Sequence, residues 1–230
     1  RGSLVGDRAP RGTPWVYPIR DESRRSFVGY LKSPMSNAQC SGYFEKIRDG
    51  TAWVQPEGPM GPIPRKTCWM VRQGCSCAYH YGNVNVAPKP FAPWMLELMR
   101  VVMPYCGLTA PEDWPDSCNL NLYGDGSASV GWHADDESLF QGKFRDIEII
   151  SLSLGVKRRF ELRLNWPEVS EKRVHKLQLG SGDLLTMEGM TQKHFQHRIA
   201  PADNVKAPRI NLTWRWVMKH MPGCSAKVGS

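Results

Sequence analysis

The chain has no apolar run near the roughly 18 residues that a membrane-spanning helix needs, and its first residues lack the apolar core of a secretory signal. A soluble protein with no membrane partner is expected. A cysteine framework is missing too. The seven cysteines are odd in number and irregularly spaced, which fits free thiols in the reducing nucleus or cytoplasm and argues against a disulfide-linked partner. No CxxC knuckle occurs. The tightest group, Cys68, Cys75, Cys77 and His80, could in principle hold zinc, but without the knuckle the preferred reading is isolated, small, apolar side chains. Acidic residues are not in excess. The net charge is +8, and the clusters Arg24-Arg25, Arg65-Lys66 and Lys157-Arg158-Arg159 could meet phosphates or could equally form a solvated surface.

What the chain does have is apolar material: 41% of its 230 residues are hydrophobic and 23% charged, enough to bury the core of one domain. Residues 1–30, rich in Arg, Gly, Pro and Ser without periodicity, read as a basic, flexible N-terminal arm. A single domain is expected over 31–220, with a tail over 221–230. Within it, Ser36 to Arg48 reads as a helix capped by Ser36 or Asn37, with Gly50 beyond its end. The Gly- and Pro-dense stretch Thr51 to Pro64 reads as a loop or irregular hairpin, in a region of about 51–90 set aside for recognition. A second helix runs from Pro93 to Met103 and is stopped by Pro104 and Gly107.

After Cys118 the pattern changes to short strands. They are Asn119 to Tyr123, Val130 to Asp135, Ile149 to Leu154, Phe160 to Leu164, Val174 to Leu179, Asp183 to Met187, Phe195 to Ile199, and Arg209 to Val217. The fold expected is α+β, mainly β: a double-stranded β-helix of jelly-roll type over about 118–218, with the N-terminal helices packed on its outside.

The last strand carries the strongest chemical signal. Arg209, Asn211, Thr213 and Arg215 alternate with Ile210, Leu212, Trp214 and Trp216, so one face is polar and the other apolar. Two guanidiniums looking into a cavity would require an anion, and a dicarboxylate would satisfy both. An edge strand with its arginines in water would show the same alternation. Asn119, Asn121 and Tyr123 alternate in the same way against Leu120 and Leu122. His133 and Asp135, one residue apart on a strand, point to the same side, and His197 offers a third ligand. Two histidines and a carboxylate leave three positions open on an octahedral iron(II), enough for a 2-oxo acid and O2, though zinc would accept the same ligands. HxD alone is weak. Its combination with a later His and the Arg-x-Asn-x-Thr-x-Arg strand is specific.

These residues, together with Pro64-Arg65-Lys66-Thr67, Tyr79-His80-Tyr81, Asn121-Leu122-Tyr123, His133-Ala134-Asp135-Asp136-Glu137, Ser151-Leu152-Ser153-Leu154-Gly155 and Leu184-Leu185-Thr186-Met187-Glu188-Gly189, make the sequence resemble the AlkB family of oxidative dealkylases. The likeness is greatest to the branch that acts on single-stranded DNA and RNA. The resemblance implies iron(II) held by His133, Asp135 and His197, which would be both the metal and the catalytic residues. It implies 2-oxoglutarate against Asn121, Tyr123, Arg209 and Arg215, with Asn211 and Thr213 nearby, and O2 as the oxidant. On the substrate side it implies Asp136, Tyr79 and Tyr81, joined by Glu137 and Arg65. Trp69 belongs to that group or to the core.

The activity implied is oxidative demethylation of bases such as 1-methyladenine and 3-methylcytosine in single-stranded DNA or RNA, by a monomer. Two departures stand out. The stretch Glu57 to Pro62, with Met60, replaces the apolar finger of relatives that work on duplex DNA, and Asn119 lies where an apolar residue is expected beside the base. The other readings are a 2-oxoglutarate-dependent hydroxylase of a protein or small molecule, and a catalytically silent nucleic-acid-binding module.

Overall fold

The computed structural model describes residues 2–226. The chain starts with a helical turn α1 (Val5–Arg8), strands β1 (Val16–Asp21) and β2 (Ser26–Leu31), and helix α2 (Asn37–Gly50). Short strands follow: β3 (Glu57–Gly58), β4 (Gly61–Pro62), β5 (Lys66–Val71), β6 (Tyr79–Tyr81), β7 (Val84–Val86) and β8 (Pro88–Pro90). Helix α3 (Pro93–Val102) leads into β9 (Ser117–Tyr123), β10 (Val130–His133), β11 (Ile147–Gly155), β12 (Arg158–Leu164), β13 (His175–Leu179) and β14 (Leu184–Gly189). The turn α4 (Thr191–His194), β15 (Phe195–Ile199) and β16 (Arg209–Arg215) come last. Each of the eight strands expected after Cys118 is present, as β9 to β16.

Two sheets make the frame. An eight-stranded sheet has the order β1-β2-β14-β11-β16-β9-β5-β8, and a four-stranded sheet the order β10-β15-β12-β13. All neighbours are antiparallel except β5 and β8. Alternating side chains give the large sheet two different faces. Ile150, Leu152, Leu154, Leu120, Ile210, Leu212 and Trp214 point outward into one core, which α2 and α3 cover. Ile149, Leu185 and Met187 point inward and meet Phe160, Leu162 and Ile199 of the small sheet in a second core. This is the double-stranded β-helix, with its helices outside.

Local chemistry explains both helices. Ser36 caps α2 with a full capping box: its Oγ accepts from the Gln39 backbone at 3.2 Å, and the Gln39 side chain accepts from the Ser36 backbone at 2.9 Å. Such a cap contributes about 1 kcal/mol. α3 begins on Pro93 and buries Trp94, Met95, Leu98, Met99 and Val102 against the sheet, where the Trp214 indole donates to the Met95 sulfur at 3.2 Å. The Thr51 to Pro64 stretch folds into the β3–β4 hairpin, with Met60 fully exposed at its tip.

Four expectations require correction. The N-terminal residues do not form a loose arm. β1 and β2 extend the large sheet, β2 pairing with β14 from Leu31↔Leu184 to Ser26↔Gly189. Val5 is buried, and its backbone N–H donates to Glu188 at 2.9 Å. The strand that ties this hairpin to the sheet, β14, lies more than 150 residues from β2, so no local periodicity marks the attachment. Of the expected tail, residues 221–226 lie against the loop around Gly74, where the Ser225 hydroxyl donates to the Gly74 carbonyl at 2.7 Å; residues 227–230 are outside the described residues.

Arg158 meets no phosphate, because its buried guanidinium donates to the backbone carbonyls of Asp125, Ala128 and Ala200 at 2.8–3.0 Å. Its neighbour Arg159 pairs with Glu161 at 2.8 Å. Finally, Cys68 sits buried in β5 and His80 exposed on β6, while Cys75 and Cys77 gather with His220 and Cys224. Replacing Arg158 by Met should strand three carbonyls and cost about 3 kcal/mol in urea unfolding. Arg159→Met removes a half-exposed cation from the buried Glu161, which keeps Arg198 at 2.6 Å, and should cost about 1 kcal/mol or less in the same measurement.

Candidate active site

The polar face of β16 is aligned with that of β9, and the register puts Arg209 opposite Tyr123, Asn211 opposite Asn121, and Thr213 opposite Asn119. On the other side Ser153 pairs with Asn211 and Ser151 with Thr213. All of these side chains but Ser153, which lies behind Arg209, line a cavity of about 800 Å³ between the two sheets. Asn211 spends its amide on Ser151 at 2.7 Å and on the Leu152 carbonyl at 3.1 Å, and Thr213 donates to Asn211 at 3.0 Å. Both therefore brace the floor. Sequence reasoning did not single out Ser151 and Ser153 as site residues, although their alternation with Leu152 and Leu154 carried the signal.

Arg209 is 1% exposed, yet only its Nη2 has an acceptor, Ser153 Oγ at 2.8 Å. Its Nε and Nη1 have none among the described residues. Its guanidinium lies 5.3 Å from the centre of the Tyr123 ring. Burial pushes its pKa down to about 10 despite the facing Tyr123, which marks a cation short of an anion. Buried guanidinium N–H groups without acceptors match an anion such as a carboxylate.

Arg215, at the other end of the strand, lies among acids. Its Nη1 is 3.5 Å from both Asp135 Oδ2 and Glu137 Oε2, and its Nη2 donates to the Tyr79 hydroxyl at 3.3 Å. Burial opposes its charge, but Tyr79, Asp135 and Glu137 hold its pKa above the ordinary value. Its Nε and Nη1 have no hydrogen-bond acceptor among the described residues, so Nη1 meets the two acids as ion pairs only.

Beside it, β10 and β15 pair His133 directly with His197. The ring centres are 4.2 Å apart, and Asp135 Oδ1 is 3.5 Å from His133 Nε2 and 3.7 Å from His197 Nε2. One donor atom from each of the three falls within 4.8 Å of the others, a spacing that a single metal ion can bridge. His133 Nδ1 lies 2.8 Å from the Gly131 carbonyl, which can only accept, so the ring proton sits there and Nε2 keeps its lone pair. Burial, with His133 adding to it, pushes His197 down to about 3 and leaves it a neutral imidazole. Burial works against the charge on Asp135, yet Arg215 and the two histidines hold its carboxyl well below the usual carboxylate range. Its backbone N–H is anchored by Gln192 at 2.8 Å. Two imidazoles and a carboxylate on one cavity wall fit iron(II).

The remaining candidates divide. Tyr79 and Tyr81 lie on β6 with ring centres 5.3 Å apart; Tyr79 donates to Glu137, and Tyr81 accepts from Arg65 at 3.2 Å. Arg65 also donates to Asn121 at 3.2 Å, tying the β6 wall to the floor. Asp136 lines the cavity and forms an ion pair with Lys143. Trp69 does not reach the cavity. It is fully buried, stacks behind Tyr79 at 5.0 Å and donates its indole N–H to the Cys77 carbonyl. Of the two readings left open for it, the core is the one observed. Asn119 does face the cavity. Phe160, stacked at 5.4 Å on His197, is a wall residue that the sequence reading took only as strand.

The fold and the donor set fit a metal-dependent oxygenase, and the 2OG-Fe(II) oxygenase superfamily matches residues 27–215: the chain belongs to it. Within that superfamily its relatives place it in the AlkB family. It is 33% identical over 190 residues to the cattle (Bos taurus) alpha-ketoglutarate-dependent dioxygenase alkB homolog 3, covering 78% of this chain and 62% of that one. It is 33% identical over 179 residues to the mouse (Mus musculus) DNA oxidative demethylase ALKBH2, covering 76% and 70%. The chain thus spans about three fifths of the length of the alkB homolog 3 relatives of cattle and human (Homo sapiens). The solved structure titled "The structure of OsALKBH1" superposes with a TM-score of 0.58 at 19% identity, covering 88% of this chain and all of that one, a likeness of fold. The superfamily works with iron(II), 2-oxoglutarate and O2.

A small dicarboxylate that fills the pocket at Arg209 should stabilise the fold. With N-oxalylglycine, an inert 2-oxoglutarate mimic, at about 100 times its Kd, unfolding should be harder by about 2.7 kcal/mol. In a thermal-shift series Arg209→Met should lose most of that gain.

Proposed function

We propose that this protein oxidatively removes N-alkyl groups from bases such as 1-methyladenine and 3-methylcytosine in single-stranded DNA or RNA. The observation that carries the reading is one cavity holding a two-histidine, one-carboxylate triad, a buried arginine with unpaired donors, and room beyond both for a flat ring. The names of the alkB homolog 3 and DNA oxidative demethylase relatives point the same way.

His133, Asp135 and His197 would hold iron(II), while Arg209, Asn121 and Tyr123 would hold the far carboxylate of 2-oxoglutarate. When bound, the metal with 2-oxoglutarate and O2 supplies oxidation of an N-alkyl C–H bond, with succinate and CO2 formed from the cosubstrate and formaldehyde shed from the hydroxylated carbon. Arg215 keeps Asp135 ionised and oriented. Asn211, Thr213, Ser151 and Ser153 keep the floor rigid, so the cosubstrate finds its partners already placed.

On the substrate side, methylation at N1 of adenine or N3 of cytosine makes the base a cation. The run Asp135-Asp136-Glu137 gives the cavity acidic groups to receive it. Asp136, at the rim, can accept from the exocyclic amino group that both bases carry. Tyr81 offers a ring face, and base stacking on such a face contributes about 1 to 3 kcal/mol. An unpaired strand avoids the few kcal/mol that opening a duplex costs.

A second, open groove shares Ala134 and Asp136 with the cavity and is lined by Lys143, Arg163, Arg173, Lys193 and the 89% exposed Trp166. It offers a path for the phosphate backbone, with an aromatic platform beside it. The sheet-bearing part of the chain, β1 and β2 included, would form one catalytic unit acting as a monomer.

The test is a panel of single-stranded DNA, duplex DNA and RNA carrying the same methylated base, read by loss of the methyl group and by release of formaldehyde and succinate. Wild type should act on the unpaired strands, and Asp135→Ala should fall to background. No methyl loss by iron-loaded wild type on any of the three sinks the reading. For the groove, charge removal by the double substitution Arg173→Gln and Lys193→Gln should weaken oligonucleotide binding alike for all sequences. It should also lower the salt slope of log K by about one per lost phosphate contact.

A further inference from the structure

Away from the cavity, four potential metal ligands converge from two distant parts of the chain. Cys75 and Cys77 lie in the loop before β6, and His220 and Cys224 lie beyond β16, with 143 residues separating Cys77 from His220. His220 Nδ1 is 3.7 Å from Cys75 Sγ, 3.5 Å from Cys77 Sγ and 3.3 Å from Cys224 Sγ, and the sulfurs of Cys75 and Cys224 are 3.8 Å apart.

These spacings have a specific meaning. A tetrahedral zinc with bonds of about 2.3 Å to sulfur and about 2.0 Å to nitrogen places its sulfurs about 3.8 Å apart and each sulfur about 3.5 Å from the nitrogen. A disulfide would need its sulfurs at about 2.05 Å, so Cys75 and Cys224 are not bonded to each other. Both ligand pairs also sit on tight turns that aim side chains inward. The Cys75 backbone N–H bonds to the Arg72 carbonyl across Gly74, which has φ +94°, and the Cys224 backbone N–H bonds to the Met221 carbonyl across Gly223, which has φ +82°. Backbone N–H groups point at two of the sulfurs, Met221 at Cys77 at 3.2 Å and Ser76 at Cys224 at 3.4 Å. Such donors favour the thiolate form that a metal requires.

We propose that Cys75, Cys77, Cys224 and Nδ1 of His220 bind a structural zinc ion. Zn²⁺ forms three bonds to sulfur and one to nitrogen, and three thiol protons leave to solvent. The four protein ligands close the coordination sphere, so the ion has no place for substrate and serves as a cross-link. What it joins is informative. Tyr79 lies two residues after Cys77, and Arg215 lies five residues before His220. Met218 and Lys219 bond through their backbone N–H groups to the Leu139 carbonyl, next to the Glu137 loop. The zinc would pin the wall that carries Tyr79 to the segment leaving Arg215, and so hold the Tyr79, Glu137 and Arg215 contacts in place as a positioning device.

The experiment uses the full chain carrying the double substitution His133→Ala and Asp135→Ala, so that the cavity triad cannot retain metal. Purified without chelator from zinc-supplemented medium, it should keep one zinc per chain. Reconstituted with cobalt(II), it should show an intense near-ultraviolet thiolate-to-cobalt band and the visible bands of a tetrahedral ion. Adding Cys224→Ser should remove the thiolate band or strongly weaken metal retention.

If that variant does not fold, titration of the parent chain with a mercurial, which captures thiolates, should release one zinc as three thiols react, followed with a colorimetric zinc indicator. Less than about a tenth of an equivalent of retained zinc, cobalt spectra without a thiolate band, or a Cys75–Cys224 disulfide found by mass spectrometry of the zinc-supplied protein would each overturn the proposal.

Discussion

Burying a guanidinium costs several kcal/mol unless an anion or well-placed acceptors neutralise it, and this chain buries two on one strand, Arg209 and Arg215. Arg215 is balanced within the protein by Asp135, Glu137 and Tyr79. Arg209 has a single hydroxyl, Ser153, and the face of Tyr123. The inner face of the large sheet follows from that asymmetry. The serines of β11, the asparagines of β9 and the acids around Asp135 either balance the two cations or brace the strand that carries them. A chain that only needed to fold would have placed Leu or Val at these positions, since apolar side chains of similar volume avoid the desolvation cost.

The same asymmetry separates two kinds of buried charge in the molecule. Arg158 places both of its Nη groups on three backbone carbonyls and so anchors loops, only its Nε being without an acceptor, and Glu161 is held between Arg159 and Arg198. Those groups are balanced from within and do structural work. Arg209 is left open toward a cavity, beside a His197 held neutral and a carboxylate held ionised. A buried group with unfilled donors, facing space large enough for a ligand, is where the fold gives up stability for binding.

The two sheets divide the labour. The large sheet supplies the anion side through β9, β11 and β16, and the small sheet supplies the metal side through β10 and β15. Neither sheet alone carries a complete site. The β6 wall closes the cavity through Tyr79 and Tyr81, and it is held by Arg65 from one direction and by the Cys75, Cys77, His220 and Cys224 corner from another.

Much of this was legible in the sequence because the signals are local. A period of two along β16 and β9 sorts polar from apolar side chains without knowledge of any partner strand, so Arg209, Arg215, Asn121 and Tyr123 could be assigned to one face in advance. The capping box of α2 depends on a neighbour three residues away, and the start of α3 on Pro93 in its first turn. HxD spacing on a strand sets His133 and Asp135 on the same side. What only the tertiary structure decided depends on pairing across the chain. The β1–β2 hairpin acquires its order through the pairing of β2 with β14, Trp69 is sealed behind Tyr79, and Arg158 turns from a surface cation into a buried clamp. Cys75 and Cys77 find His220 and Cys224 only because β5 and β16 both flank β9, which brings the loop after one beside the segment after the other. Side-chain alternation is written in adjacent residues. Which distant residues become neighbours is settled by the register of whole sheets, and no short stretch of sequence contains it.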